Sequence, residues 1–307
     1  MVRTALKVAS LRQLLGLASR HGMMPATVRC HLPVVGETVF RVSGCGSGFR
    51  YLLRPGDTIG TQLFWGGWQA WEPETVSVFS MLVRDAKHFV DVGANTGLFS
   101  LLACALNPTV RVTAFEPVPT TASILRSNIA LSGWQQRCAV EQAAVADAVG
   151  AAEFNVPPGV APDMASLGAD GWLGVKGETL TVTTTTIDAA IGPDEPPDLI
   201  KIDVEGHEDK VLAGAKGTLA EERPLVVVEC NPEGPFAAVD RLLREHSYEV
   251  YHLRLDGVRL VQSVKPDERN DPLRGRNFLA VPSEQELTVL SRWIQPGNTG
   301  PAIGEES

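Results

Sequence analysis

Four groups able to accept or carry a proton fall within six positions of the stretch LIKIDVEGHE, residues 199–208: Asp203, Glu205, His207 and Glu208. They follow an apolar run (Leu199, Ile200, Ile202, Val204) that reads as a strand. His207 falls in the loop or first helical turn after that strand. A helix N-terminus disfavours imidazolium, so the ring there stays neutral and able to take a proton. His207 is therefore the leading candidate for a general base, with Asp203, Glu205 and Glu229 beside it as further candidates. The alternative is a capping or packing histidine. Asp203, Glu205, His207 and Glu229 also offer oxygen and nitrogen donors to a metal. No HExxH or paired-His spacing occurs, so acid–base work is expected and a metal is not. Glu208 reads as a cap on the helix that follows.

A second cluster surrounds a glycine turn, VDVGANTGLFS. Asp91 precedes the turn, and Gly93 and Gly97 bracket Ala94, Asn95 and Thr96. A nicotinamide site has the pattern G-x-G-x-x-G, whose extra glycines admit a pyrophosphate. Only two glycines are present here, and Asp91 adds negative charge beside the turn. Both features favour a cationic ligand over an anionic one. Glu116 closes the next strand, where a carboxylate can accept two hydrogen bonds from a ribose diol. Together these suit an adenosine ligand that carries a sulfonium and an amino-acid end. The alternative is plain turn glycines with solvated acids.

These residues need a scaffold that brings strand ends together. From residue 88 onward strand and helix patterns alternate: HFVDVG, TGLFSLLACAL, VRVTAFE, TTASILRSNIALSG, AVEQAAVA, AEFNV, LTVTTTTI, DLIKIDV, KVLAGAKGTLA, PLVVVEC, PFAAVDRLLREH, YEVYHLRL and NFLAVP. Such alternation means βαβ units and a doubly wound, mostly parallel sheet, an α/β fold. Ligands bind such sheets outside the carboxyl ends of the strands. Those ends carry Asp91, Glu116, Asp147, Asp203 and Glu229.

Before residue 76 short strands and turns (TVRCHLP, ETVFRV, FRYLLRPGD) form a β-rich extension. The cluster Phe64, Trp65, Trp68 and Trp71 either covers an acceptor or packs in a core. Glu72-Pro73-Glu74 opens a helix. Residues 1–22 place Leu6, Leu11, Leu14, Leu15 and Ala18 near helical spacing. That amphipathic helix is expected to pack on the main domain or on a partner subunit, with attachment to a membrane surface as the minor alternative. The Gly-, Pro- and Ala-rich loop 157–178, with Met164, Leu167 and Trp172, reads as a lid. The expected division is an extension over 1–75, a catalytic domain over 76–283, and a C-terminal helix with a disordered tail over 284–307.

Bulk properties narrow the function. The chain has 307 residues, 44% of them hydrophobic, and a formal net charge of −9. That charge argues against a nucleic-acid partner, because binding phosphates needs a basic face. No run of eighteen apolar residues suggests a membrane span. Five scattered cysteines without a CxxC pair suit a reduced, cytoplasmic protein.

FVDVGANTG, AFEP, AAVADAVGAAEF, KIDVEGHE and VVVEC, in that order, resemble the FkbM family of S-adenosylmethionine-dependent methyltransferases. The resemblance runs from about Phe49 to Pro282 and takes in the upstream DTIGTQLFWGGWQAWEPET. It implies a Rossmann-like class I methyltransferase fold and S-adenosyl-L-methionine as cofactor. It implies O-methylation of a small hydroxylated acceptor such as a sugar, a polyketide or another secondary metabolite. Asp91, Gly93, Asn95, Thr96 and Gly97 would line the methionine and ribose part of the cofactor. Glu116 would hold the ribose hydroxyls, with Pro117 beside the adenine. Ala144 and Asp147 would border the adenine, Asp203 would sit near the reacting methyl group, and Glu72 would approach the methionine end. A binding or regulatory protein that keeps the fold without turnover is the second reading, and a nicotinamide-dependent oxidoreductase the third.

Overall fold

The computed structural model describes residues 36–156, 166–167, 177–192, 194–230, 234–254, 257–260 and 276–285. The amphipathic N-terminal segment, Met164, Trp172, Asn231 and the tail beyond residue 285 lie outside the described residues.

Two strands, β1 (Thr38–Val42) and β2 (Phe49–Leu53), form an antiparallel hairpin. Helices α1 (Thr58–Gly66) and α2 (Pro73–Leu82) follow. The α1 helix was not evident from its Gly- and Trp-rich sequence. Asp57 starts it, its carboxylate accepting the N–H of Gly60 at 2.7 Å. Next come β3 (His88–Val92), α3 (Leu98–Leu106), β4 (Arg111–Phe115), α4 (Pro119–Ser132) and β5 (Cys138–Glu141). Helix α4 stops at Gly133, which adopts a left-handed φ of 76°. Then follow β6 (Ala144–Val145), β7 (Gly150–Val156), β8 (Ser166–Leu167), β9 (Glu178–Thr185) and the short α5 (Ile187–Ala190). The chain returns through β10 (Leu199–Ile202), α6 (Glu208–Ala213), β11 (Leu225–Glu229), α7 (Phe236–Glu245), β12 (Tyr248–Arg254), β13 (Gly257–Leu260) and β14 (Asn277–Pro282).

The central sheet has eight strands in the order β13-β12-β14-β11-β10-β3-β4-β5. Strands β11, β10, β3, β4 and β5 run parallel, and β14, β12 and β13 add antiparallel pairings at one side. This is the doubly wound, mostly parallel sheet expected from the alternating pattern. The segment read as one strand, AVEQAAVA, is split. Cys138–Glu141 stays in the central sheet, whereas Ala144–Val145 joins a small sheet of order β6-β9-β7-β8.

Side-chain alternation assigns the two faces of the central sheet. Phe89, Leu199 and Val227 pack toward the hairpin, α2 and α3. Val90, Val92, Ile200, Ile202, Val226 and Val228 pack toward α6 and α7. Period-two geometry then sets Asp91, Lys201, Asp203 and Glu229 on the face shared with Phe89, Leu199 and Val227. From β3 the chain winds one way through β4 and β5, then returns to β10 on the other side. The β3/β10 boundary is the switch point where such folds leave a crevice. Among the described residues no helix is long and apolar enough to cross a membrane.

Candidate active site

A cavity of about 360 Å³ opens at the switch point. It is lined by the ends of β3, β4, β10 and β11, by residues 143–145, by Phe154, and by Trp71 and Glu72 ahead of α2. Its size is that of a small-ligand pocket.

The turn after β3 is built by close backbone approach. Gly93 has φ 79°, and a Cβ placed on it would lie 1.8 Å from the carbonyl oxygen of Asp203. The N–H groups of Gly93 and Ala94 both donate to the Phe115 carbonyl at 3.0 Å. Asn95, at φ 49°, lines the cavity, and its Oδ1 is buried without a hydrogen-bond partner. Gly97 and Thr96 do not line the cavity and act in the scaffold. A Cβ on Gly97 would lie 2.3 Å from Leu125 Cδ1, so that glycine admits α4. The Thr96 hydroxyl meets the Tyr51 hydroxyl at 2.6 Å, tying the hairpin to the turn.

Glu116 is buried on the cavity wall. One carboxylate oxygen accepts the N–H of Asn95 at 3.0 Å, the other that of Val118 at 2.9 Å. Each oxygen keeps a further lone pair for a ligand. Burial pushes its pKa up to about 7, against those two hydrogen bonds. Phe115, Pro117, Ala144, Val145 and Phe154 form the apolar wall beside it. Asp147 is not part of that wall. It is exposed, because β6 pairs with β9 and Ala146 N–H donates to the Thr185 carbonyl, carrying the chain away from the cavity.

The opposite wall is ionic. Glu72, Asp91, Asp203 and Glu229 gather around the ammonium of Lys201. Lys201 is fully buried, with its Nζ 2.9 Å from Asp203 Oδ2 and 4.4 Å from the centre of the Phe99 ring. Asp91 is also buried and accepts a hydrogen bond from Ser100 Oγ at 2.6 Å. Glu72 accepts from Trp71 Nε1 at 2.7 Å, and its other oxygen is buried without a hydrogen-bond partner. Burial raises the pKa values of Glu72, Asp91 and Glu229, and Lys201 opposes the rise in each. For Glu229 the rise is large, with Asp203 and Glu72 adding to the effect of burial. Glu72, Asp203 and Glu229 bring one oxygen each to within 4.8 Å of one another. A carboxylate base stronger than an ordinary one, or a cation-binding wall, follows from such an arrangement.

The candidate bases after β10 separate. Asp203 and Glu205 line the cavity; His207 does not. Glu205 and Gly206 adopt left-handed φ values of 52° and 97°, and this double turn takes the chain out of the mouth before His207. His207 instead occupies the N-cap of α6. Glu208 is buried, and its Oε1 accepts the Gly206 N–H at 2.8 Å, bracing that turn. The aromatic cluster divides as well. Phe64 and Trp65 are buried in the core, Trp68 packs against it, and Trp71 reaches the cavity.

Lys201 was missed as a site residue because LIKI reads as an apolar strand. Its signal was parity. A lysine two residues before Asp203 must share its face, and a strand covered on both sides buries that lysine, which requires acidic partners around it.

Residues 91–250 match the family model described as the methyltransferase FkbM domain. The chain is 32% identical over 194 residues to the 31-O-demethyl-FK506 methyltransferase FkbM of Streptomyces tacrolimicus, covering 52% of this chain and 72% of that protein. It is 28% identical over 190 residues to the methyltransferase sdnD of Sordaria araneosa, covering 52% and 73% respectively. Among solved structures, the methyltransferase FkbM of Methylobacillus flagellatus KT aligns at 18% identity and a TM-score of 0.43, over 64% of this chain and 44% of that one. With the match spanning the glycine turn, Glu116 and the acid-rich end of β10, the chain belongs to the FkbM methyltransferase family.

Proposed function

We propose that this chain transfers a methyl group from S-adenosyl-L-methionine to a hydroxyl oxygen of a small molecule. The observation that carries this reading is the two-sided cavity. One wall is apolar and ends in Glu116, which suits an adenosine. The other is rich in carboxylates, which suits a cation. Two of its polar atoms, Asn95 Oδ1 and one Glu72 oxygen, are buried without hydrogen-bond partners and would accept donors from a ligand. The names of the Streptomyces and Sordaria relatives describe methyltransferases, the first acting on 31-O-demethyl-FK506. The Streptomyces name supports a small acceptor.

S-adenosyl-L-methionine, when bound, supplies a methyl group already activated by the sulfonium charge. Glu116 would hold the ribose diol, and Phe115, Pro117 and Ala144 would cover the adenine. Asp91, Asn95 and Glu72 would face the methionine end. The protein's remaining work is to align an oxygen with the methyl group and to exclude water. Glu229 takes the acceptor's proton as the new bond forms. Its raised pKa makes it a stronger base than an ordinary carboxylate, and His207 is not needed. Asp203 lies beside it, paired with Lys201.

The proposed division keeps a methyltransferase domain over 76–283 and an extension over 1–75 that supplies Trp71 and Glu72 to the cavity. Cys45, Cys104, Cys138 and Cys230 are buried free thiols, which supports a reducing, cytoplasmic setting. The test is to incubate the protein with methyl-deuterated S-adenosylmethionine and a panel of hydroxylated metabolites. Mass spectrometry should find the labelled methyl on oxygen. Label found only on nitrogen or carbon would overturn the O-methylation reading.

A further inference from the structure

The ionic wall of the cavity has more acid than a single pair explains. Three carboxylates, those of Glu72, Asp203 and Glu229, present oxygens within 4.8 Å of one another. That spacing and donor type are those of a hard divalent cation site. A cation is already there. The Lys201 ammonium is covalently delivered to the group from the middle of β10, fully buried and 2.9 Å from Asp203 Oδ2.

We propose that Lys201 is the resident counter-cation of this wall, a positioning residue that takes the place a divalent metal would fill among Glu72, Asp203 and Glu229. Three facts support it. The β10–β3 register pairs Lys201 with Asp91, so the ammonium has carboxylates from neighbouring strands as well as from its own. The Phe99 ring covers it at 4.4 Å, a cation–π contact that fixes the ammonium on the sheet face. Burial works against its charge, but Asp203, Glu72, Asp91 and Glu229 outweigh that and hold it protonated. An ammonium so held is a donor and not a base.

The inference deepens the proposed reaction, and rests on that reading only in placing the acceptor at this wall. It narrows the acceptor class. A metal-centred site selects acceptors with two adjacent oxygens able to chelate. A site with a built-in ammonium needs no such pair, so a single isolated hydroxyl suffices. The fixed charge also keeps Asp203 turned toward Lys201, leaving Glu229 to meet the hydroxyl.

The test reads metal binding, independently of methyl transfer. Mn²⁺ is titrated by electron paramagnetic resonance into the wild-type chain, Lys201→Met and Lys201→Arg, with folding checked by circular dichroism. The wild type and Lys201→Arg should bind no Mn²⁺ at the wall. Lys201→Met removes the charge and should take up one Mn²⁺ per chain at concentrations at least tenfold below the highest at which the wild type shows none, an uptake abolished by adding Glu229→Gln. A folded Lys201→Met that takes up none overturns the proposal. So does a wild type that binds one Mn²⁺ and loses it with Glu229→Gln, and this arm alone decides the matter if Lys201→Met does not fold. S-adenosylhomocysteine titrated in parallel reports on the donor site. Its failure to bind would count against the methyltransferase reading and leave the Mn²⁺ result intact.

Discussion

A Cβ added to Gly93 would fall 1.8 Å from the carbonyl oxygen of Asp203. The turn after β3 and the end of β10 therefore touch through their backbones at the floor of the cavity. Gly93→Ala must push them apart and also force alanine to a φ of 79°. The expected cost is about 1–3 kcal/mol from the steric displacement, with about 1 kcal/mol more from the dihedral. Urea denaturation should show the lowered midpoint, and S-adenosylhomocysteine binding should be lost or much weakened. Wild-type affinity in the variant would mean that the turn is not part of the site.

Glu229→Gln keeps the side chain's size and removes its basicity. Turnover should fall by about 10²–10⁴-fold, the usual contribution of a positioned base. Affinity for S-adenosylhomocysteine should stay close to wild type. His207→Ala should leave turnover within about twofold, since His207 does not line the cavity; a matched pair of rate measurements checks both. If His207→Ala were the slower variant, the assignment of the base would be reversed.

Two carboxyls carry a measurable pH signature. Burial raises Glu116 and Glu208 from 4.5 to about 7 in the folded chain. Between those values the unfolded chain has released protons that the folded chain still holds. The slope of unfolding free energy with pH is then negative, so their combined contribution makes stability fall as pH rises from about 4.5 to 7 and level off above. Denaturation midpoints across this range should show a slope that is shallower in Glu116→Gln and in Glu208→Gln. A ribose diol prefers the ionised Glu116, so cofactor affinity should rise through pH 7, and Glu116→Gln should flatten that rise.

The hairpin is anchored by one buried amide. Asn128 accepts the Leu52 N–H at 2.7 Å and donates to the Thr96 carbonyl at 2.9 Å. Asn128→Leu keeps the branched shape but strands both groups. The expected loss is roughly 2–4 kcal/mol, from two buried backbone groups left unsatisfied. Differential scanning calorimetry would register it. A melting temperature unchanged from wild type would mean that the hairpin is held without this amide, by its apolar contacts and the Tyr51–Thr96 hydroxyl pair.

Much of this site is legible in residue order. Asp91, Gly93 and Glu116 stand at strand ends because a parallel sheet with helices on both faces has a strong periodic signature, and its crevice follows from the winding. Glu72 and Glu229 also line the cavity. His207 and Asp147 do not, and in both cases the chain leaves the cavity one or two residues earlier. At Glu205 and Gly206 the cause is two left-handed residues in succession; at Asp147 it is the pairing of β6 with a second sheet. Local propensity reports neither. Helix α1 was hidden by its glycines and tryptophans, and tertiary packing of Leu63, Phe64 and Trp65 overrides that composition. Lys201 was hidden among apolar neighbours, since its partners lie on three other segments of chain.

Every role assigned to the cavity depends first on what it binds. Isothermal titration calorimetry with S-adenosylhomocysteine and with NAD, on wild type and Glu116→Ala, tests this most directly. The account predicts one S-adenosylhomocysteine per chain, no NAD, and a loss of roughly 1.5–3 kcal/mol in Glu116→Ala from the missing ribose hydrogen bonds. Binding of NAD without S-adenosylhomocysteine, or an unchanged affinity in Glu116→Ala, would contradict it.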